Sequence, residues 1–269
     1  MKRKILCLLL ALSLCLALCG CGGVSYGVNT IMTLETQHYS MAFRNGDSVY
    51  FYVIAALEEL NYEGVTAELS SKWLGSAGAV DFGRKSPDAL SSLAPPEERV
   101  FIIGVDENSF PFAYGEGGSY WGFDVELASR LCDKLGWTLQ VQVIEKENVY
   151  IELYSGNIDC AWGGVALPQE DIDGAKYTVF GPYIQNDIVI ASRDGSHIWN
   201  KLQLSGRRMA MCSTQEAMDA LQNAGGVAKR LGQITRLAGG TTECFSYLFS
   251  GKCDLILTDS TAIAYYNCH

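Results

Sequence analysis

The sequence predicts a mixed α/β protein whose helices pack on a mainly parallel sheet. An apolar strand-like run at 99–106 is followed by an amphipathic helical run at 122–136 and then by an alternating strand. The same order of strand and helix begins again beyond a further strand at 187–193. These observations divide the later part of the chain into two α/β units, 99–186 and 194–269.

The part of the chain before these units has elements of its own. Two short strand-like runs lie within 28–44, and then Asp47 or Ser48 is a suitable N-cap for an apolar helical run. A second, shorter helical stripe ends at Gly75. Residues 76–98 are dominated by Gly, Ser, Ala and Pro, a composition typical of a linker.

The first unit shows clear helical and strand patterns. Its helix at 122–136 carries apolar residues at a spacing of four and ends in glycine, after a Gly- and aromatic-rich loop at 107–122. We expect a half-buried strand at 138–144, a short helix at 149–156, and a strand within 157–166 that runs into a loop.

The second unit repeats this alternation. Ser213 and Glu216 have the spacing of a capping box, which predicts a helix start at this point. The expected elements are a strand at 207–212, helices at 215–225 and 243–251, a strand at 253–259 and a helix at 260–266.

The N-terminus predicts export. A cationic start, "MKRK", precedes an apolar run of 14 residues at 5–18, which suits a signal peptide better than a membrane span. "LCGC" at 18–21 resembles the lipobox of bacterial lipoproteins, with Cys21 as the lipidated residue. Cys19 fits less well, and a plain secretory signal or an anchor helix is the alternative. We expect a signal peptide at 1–20 and a tether at 21–27, so that the protein is anchored outside the cell membrane.

Six cysteines remain beyond this segment, and none has the spacing of a metal site. Export permits disulfides, yet buried apolar thiols are an equally good interpretation. The six are Cys132, Cys160, Cys212, Cys244, Cys253 and Cys268.

Four motifs in order resemble the polar amino-acid-binding proteins of ABC importers, the extracellular solute-binding proteins of family 3. They are "GFDVELASRLCDKLG" (122–136), "LYSGNIDCAWGGVALPQE" (153–170), "GPYIQNDIVIASR" (181–193) and "LFSGKCDLILTDSTAIAYY" (248–266). The resemblance implies a type II periplasmic-binding-protein fold, in which two α/β lobes on a two-strand hinge close over a small solute. It also implies an ABC permease and its ATPase as partners, a monomeric state and no cofactor.

The order of the elements differs from that family. Runs that resemble the family's closing strand, returning hinge strand and final helices stand at the front of this chain, which suggests a circular permutation. A fused or truncated gene whose pieces pair between chains is the alternative. The permuted arrangement assigns 28–36 to a strand of lobe two, 37–75 to a hinge strand and the closing helices of lobe one, 76–98 to a permutation linker, 99–186 to the lobe one core, 187–193 to a hinge strand and 194–269 to lobe two.

Four positions match ligand contacts of the family. Asp106 ends the first strand of the unit, and Asp259 matches the aspartate that pairs with a ligand ammonium group. Gly164 matches a glycine that lets the backbone approach the ligand, and Thr214 stands at a helix start suited to a carboxylate. Caps of loops or helices are the alternative roles of the two aspartates and the threonine.

Other positions depart from the family pattern. Its threonine and its carboxylate-binding arginine correspond here to Ala166 and Asp171, and its aromatic wall corresponds to Ser109, with Phe110 next to it. A second aromatic position falls near Lys146. The usual clamp for an α-carboxylate is therefore not evident.

Two ligand hypotheses remain open at this point. Added negative charge favours an amine or other cation without a free carboxylate, with Phe110, Tyr114 or Trp121 as cation–π partners. Ordinary amino-acid binding with a relocated carboxylate donor, Lys146 or the helix start at Thr214, is the second hypothesis. A receptor of the same fold that senses a ligand without transport is the alternative function.

Composition and motifs argue against other classes. A net charge of −10 is unfavourable for nucleic-acid binding. The sequence has neither a nucleophile-elbow motif nor a P-loop, and its three histidines are not part of a metal or triad pattern. We expect a binding protein rather than an enzyme.

Overall fold

The computed structural model describes residues 27–269, and the predicted signal peptide and Cys21 lie outside these residues. The described residues form an eight-stranded mixed sheet in the order β5-β2-β6-β1-β7-β10-β8-β9, together with a hairpin of β3 and β4. The strands are β1 (Val28–Phe43), β2 (Val100–Val105), β3 (Tyr114–Glu116), β4 (Ser119–Trp121), β5 (Thr138–Val143), β6 (Cys160–Ala161), β7 (Thr178–Arg193), β8 (Arg208–Cys212), β9 (Gln233–Leu237) and β10 (Leu255–Asp259).

Eight α-helices of the described residues cover the faces of this sheet. They are α1 (Val49–Tyr62), α2 (Val65–Leu74), α3 (Phe123–Leu135), α4 (Val149–Ser155), α5 (Gln169–Asp173), α6 (Gln215–Asn223), α7 (Gly240–Phe249) and α8 (Ser260–Cys268). None of the helices in this part of the chain is long and apolar enough to cross a membrane.

Two long antiparallel strands, β1 and β7, connect the two ends of the sheet. Their register runs from Val28 opposite Arg193 to Phe43 opposite Thr178. On one side lies the parallel group β5-β2-β6, which with its helices we call the first lobe, and on the other side lies β10-β8-β9, the second lobe. Both lobes thus contain parallel strands, and every antiparallel pair of the eight-stranded sheet involves β1 or β7.

The two strand-like runs predicted within 28–44 are one continuous strand. The polar residues between them were expected to interrupt the strand, yet Glu35 pairs with Ile188 and Gln37 with Asn186. Because residues 185–188 of β7 supply its backbone partners, the polar stretch keeps its strand conformation.

Each lobe has apolar residues on both faces of its part of the sheet. In the first lobe, α1, α2 and α3 pack over a core that includes Phe43 and Leu69, while Leu153 of α4 lies in a separate cluster with Ala42. Neighbouring residues of β1 enter different clusters because successive side chains of a strand point to opposite faces. The second lobe likewise has two clusters, one with α7 and α8 and one with α6.

The start of α6 differs from the expected capping box. Thr214 is the N-cap, and its hydroxyl accepts a hydrogen bond from the backbone N–H of Ala217 at 3.3 Å. Ser213 instead donates to the carbonyl of Leu237 at 3.1 Å, because the edge strand of the second lobe, β9, pairs with β8 beside it. This strand and the β3–β4 hairpin were not predicted from the sequence.

The segment 76–98 has little regular structure but is packed against the first lobe. Phe82 is buried, and its ring stacks on that of Tyr183 at a centroid distance of 5.1 Å. Near a 3-10 turn at Ala89–Ser92, the backbone N–H of Leu90 donates to Glu59 of α1 at 2.9 Å. Apolar burial and hydrogen bonds therefore hold a segment whose composition alone is typical of a free linker.

A fully buried carboxylate links three parts of the first lobe. Asp124, in the first turn of α3, accepts hydrogen bonds from the Trp162 indole at 2.9 Å, the Tyr183 hydroxyl at 2.7 Å and the Gly164 backbone N–H at 3.1 Å. Burial raises the pKa of Asp124 from 3.8 to about 7, and the three hydrogen bonds oppose that rise. One side chain thus connects α3, the loop after β6 and the crossing strand β7.

This raised pKa has a consequence for stability. A proton binds Asp124 more tightly in the folded than in the unfolded chain, so its contribution is greatest below pH 3.8 and is lost as the pH rises through about 7. From pH 5 to pH 8, the unfolding free energy of the wild type should fall by about 2 to 3 kcal/mol more than that of Asp124→Asn. Denaturant unfolding of both proteins at the two pH values measures this difference, and parallel pH profiles would contradict it.

Candidate functional site

A polar cleft lies between the two lobes, where the ends of several strands meet. Its walls enclose cavities of about 690, 360 and 40 Å³. The first lobe contributes Asp106 after β2 and Lys146 after β5, and the second contributes Thr214 and Glu216 at the start of α6 and Asp259 at the end of β10. Ligand sites of open α/β sheets form at such carboxyl ends of strands.

Three carboxylates surround the smallest of these cavities. Asp106, Glu216 and Asp259 all line it, and no Lys or Arg is among its described lining residues. The pKa of Asp259 is raised from 3.8 to about 7, chiefly by burial and also by the charges of Glu216 and Asp106, against a hydrogen bond from Asn186. The pKa of Asp106 is also raised, chiefly by burial. The concentration of negative charge favours a positively charged group in the cavity.

A buried hydrogen-bond network fixes the position of Asp259. The amide nitrogen of Asn186 on β7 donates to Asp259 Oδ1 at 2.7 Å and to the Tyr39 hydroxyl at 3.0 Å. The Thr261 hydroxyl in turn donates to Asn186 Oδ1 at 2.9 Å. Asn186 and Tyr39 lie on the two crossing strands, so the orientation of this carboxylate depends on both of them.

One buried hydroxyl at this cavity has no hydrogen-bond partner among the described residues. Thr258 is 5% exposed, lines the 40 Å³ cavity and leaves its Oγ1 unpaired. A buried polar group without a partner costs about 1–3 kcal/mol, so an incoming polar ligand group can recover this energy.

Lys146 and Glu216 form an ion pair across the cleft. Lys146 Nζ lies 3.1 Å from Glu216 Oε1, and each side chain remains about one third exposed. Gln37 on β1 donates to the same carboxylate oxygen. Both charged residues line the 690 and 360 Å³ cavities. The ammonium group of Lys146 therefore already pairs with one of the three carboxylates, that of Glu216.

The structure brings only some of the predicted site residues to this cleft. Asp106, Ser109, Thr214 and Asp259 line the 40 Å³ cavity, and Ala166 lines the 690 Å³ cavity.

Gly164 and Ser109 form a close pair beside the cleft. The Ser109 hydroxyl donates to the Gly164 carbonyl at 3.0 Å. Gly164 has a φ of +70°, and a Cβ on it would lie 2.3 Å from the Cβ of Ser109. The glycine therefore makes room for Ser109, while its N–H donates to Asp124.

Asp171 and Phe110 do not line the three cavities of the cleft. Asp171 on α5 pairs with Lys176 and is not among the described residues that line the three cavities. Phe110 is 5% exposed and packs against Tyr265 of α8 at 4.8 Å and Tyr114 at 5.1 Å. Its ring belongs to an aromatic contact between the lobes, which Trp73 extends by stacking on Tyr265.

Sequence reasoning missed several residues of the cleft. Glu216 was considered only as part of a cap, and Tyr39, Asn186 and Thr258 were not considered. The asparagine lies in the motif at 181–193, but its partners are distant in sequence. These partners come together because β1, β7 and β10 are neighbouring strands of the sheet.

Comparison with known proteins adds independent information. The model of the family described as bacterial extracellular solute-binding proteins, family 3, matches residues 101–238, just over half of the chain. A probable amino-acid-binding protein of Bacillus subtilis is 28% identical over 120 residues, which cover 45% of this chain and 45% of the relative. An arginine-binding extracellular protein of the same organism is 26% identical over 147 residues, covering 52% of this chain and 55% of the relative.

A relative of a different kind is an enzyme. Cyclohexadienyl dehydratase of Pseudomonas aeruginosa is 26% identical over 172 residues, covering 61% of this chain and 60% of the enzyme. The chain spans about half the length of the first two relatives. A solved polar amino acid ABC uptake transporter substrate binding protein from Streptococcus thermophilus is 26% identical, with a TM-score of 0.44 over 60% of this chain and 61% of that one.

Proposed function

Because the chain belongs to the bacterial extracellular solute-binding proteins of family 3, we propose that it captures a small amine-bearing solute in the cleft between its lobes. The observation that carries this proposal is the group of three carboxylates, Asp106, Glu216 and Asp259, around one cavity. A cationic ligand gains Coulomb energy from all three, and the fixed position of Asp259 lowers the cost of ordering the site.

The preferred ligand is a cation without an α-carboxylate. Lys146 is the only Lys or Arg among the described residues that line the three cavities, and Glu216 already neutralises it. An α-carboxylate would meet the negative charge of Asp106 and Asp259, whereas a second amine or guanidinium would not. Binding of this kind requires no cofactor and no metal.

The proposal extends to the cellular setting. The protein is lipidated at Cys21, remains on the outer face of the cell membrane as a monomer, and delivers its solute to an ABC permease with its ATPase. Family membership and the lipobox-like sequence at 18–21 support this setting. Substitution of Cys21 with serine tests the anchor, because it should release the protein from the membrane fraction.

The chain is also proposed to be a circular permutation of the family order. In support, the described residues near both ends of the fold are neighbours. The backbone N–H of Val28 donates to Asn267 Oδ1 at 2.8 Å, and Asn267 Nδ2 donates to the Val28 carbonyl at 3.0 Å. In further support, α2 packs against α3 of the first lobe, where the family's closing helices are expected.

Arginine and agmatine provide a matched test of the ligand class, because agmatine lacks only the α-carboxylate. By calorimetry, we expect agmatine to bind at least tenfold more tightly than arginine. The substitution Asp259→Asn should weaken the binding of agmatine about 30-fold or more, because a buried charge partner is lost. Tighter binding of arginine, or equal affinity of wild type and Asp259→Asn for agmatine, would contradict the ligand class.

Lys146 distinguishes the two ligand hypotheses. If it competes with the ligand for Glu216, Lys146→Met should strengthen agmatine binding roughly threefold to tenfold, since the carboxylate is then free. If Lys146 instead binds the carboxylate of the ligand, the same variant should weaken the binding of arginine and leave the affinity for agmatine unchanged. Lys176→Met is the matched control, because Lys176 pairs with Asp171 away from the three cavities.

The pKa of Asp259 predicts the pH dependence of binding. A cation prefers the ionised carboxylate, and an unliganded pKa of about 7 leaves it mostly protonated at pH 6. The affinity for agmatine should therefore rise about tenfold from pH 6 to pH 8. The slope should disappear in Asp259→Asn, and a persistent slope in that variant would assign the titration to another group.

A chain in the family order tests the permutation. It runs from residue 99 to 269, continues through a short Gly/Ser linker to residue 28, and ends at 98, so that the packed segment 76–98 is kept. Because Val28 and Asn267 are in contact, we expect a folded monomer with the agmatine affinity of the original order. Light scattering and calorimetry measure both properties. A dimer of the wild-type protein in which the two chains exchange residues 28–75 would contradict the permutation.

A further inference from the structure

Two thiols lie close together in the wall of the cleft. Cys212 is the last residue of β8, Cys244 lies in α7, and their sulfur atoms are 3.8 Å apart. Both are free thiols in this structure. The distance is short enough that modest side-chain and backbone movement can join them.

The two thiols differ in access. Cys212 is partly exposed and lines both the 40 and the 360 Å³ cavities. Cys244 is fully buried beneath it, in the cluster formed by α7 and α8. A reagent that enters the cleft can therefore reach Cys212 first.

The two thiols also differ in acidity. A hydrogen bond from the Cys244 thiol lowers the pKa of Cys212, with a smaller effect from the Thr241 hydroxyl, while burial and the charge of Asp259 oppose this. The pKa of Cys244 is raised by the same contact and by burial. An accessible thiol with a lowered pKa beside a buried second thiol has the features of an attacking and a resolving cysteine.

We infer that Cys212 and Cys244 form a reversible disulfide by exchange with a small disulfide such as oxidised glutathione. The Cys212 thiolate attacks one sulfur of the oxidant, whose S–S bond breaks and releases one thiolate that takes up a proton. Cys244 then loses its proton and attacks Cys212 Sγ, which releases the second thiol. Two protein thiols are oxidised, and one disulfide is reduced to two thiols.

Oxidation also changes the cleft. The sulfurs must approach from 3.8 Å to about 2.05 Å, which requires rotation of the two side chains with modest movement of the end of β8 and of α7. Thr214 and Glu216 follow Cys212 closely in the chain and line the solute site, so the bond restrains their position. The redox state of the pair and the shape of the site are therefore coupled.

Peptide mapping tests the pair without any solute. The reduced full-length protein is equilibrated with oxidised glutathione, remaining thiols are blocked with N-ethylmaleimide, and the protein is digested without reductant. We expect one cross-linked product that contains Cys212 and Cys244, and its loss on treatment with dithiothreitol. Recovery of both cysteines as maleimide adducts, or of Cys212 as a lasting glutathione adduct, would overturn the inference.

Matched serine variants exclude a merely structural effect. In Cys244→Ser, Cys212 should stop at the glutathione adduct, because the resolving thiol is missing. Cys253→Ser removes another buried thiol from the same cluster and should leave the cross-link intact. Oxidation should raise the Tm of the wild type and of Cys253→Ser but not of Cys244→Ser. Equal Tm values for the oxidised and reduced wild type would contradict closure of the bond. None of these measurements requires a ligand, so they remain informative if the proposed solute class is wrong.

Discussion

The buried carboxylate of Asp124 holds the first lobe in the form on which the rest of the molecule depends. Its three hydrogen bonds reach Trp162 after β6, the backbone of Gly164 and the hydroxyl of Tyr183 on β7. None of the described hydrogen-bond donors to Asp124 carries a charge. The raised pKa of Asp124 therefore reflects the energetic cost of burying its carboxylate. The same contacts fix the loop beside the cleft to the crossing strand, so lobe packing and site geometry share one constraint.

The two crossing strands determine how the lobes face each other. β1 and β7 pair from one end to the other with three register shifts, and the polar residues 35–38 of β1 line the 690 Å³ cavity of the cleft. Away from this sheet, Phe110 and Trp73 of the first lobe contact Tyr265 of the second. Aromatic contacts of this kind contribute about 0.5–1.5 kcal/mol each beyond their burial. The lobes are therefore joined by backbone pairing on one side and by ring contacts on another.

Negative charge in the cleft is unfavourable for the empty protein and useful for a cationic ligand. The charge of Glu216 raises the pKa of both Asp106 and Asp259, and the charge of Asp106 raises that of Asp259 as well, although burial is the larger cause for both. The Asn186 amide, the Lys146 ammonium beside Glu216 and a proton on Asp259 near pH 7 offset this negative charge. In the proposed binding mode, a ligand cation replaces the proton and competes with the lysine, so ligand affinity and pH act on the same few groups. The dithiol of Cys212 and Cys244 adjoins this system at the end of β8.

Local sequence patterns determined most elements of this protein. Apolar spacing and glycine stops place α3 and α4 within a residue or two, and the motif at 248–266 correctly indicates Asp259 at the end of a strand beside the cleft. Such patterns depend on neighbouring residues and can be read directly.

Tertiary structure alone decided which of the candidate site residues lie together. Phe110 contacts Tyr265 of α8, and Glu216, Asn186 and Thr258 lie at or beside the cleft. The reason is physical: a side chain's partners are set by strand order and register, which bring together residues more than a hundred positions apart.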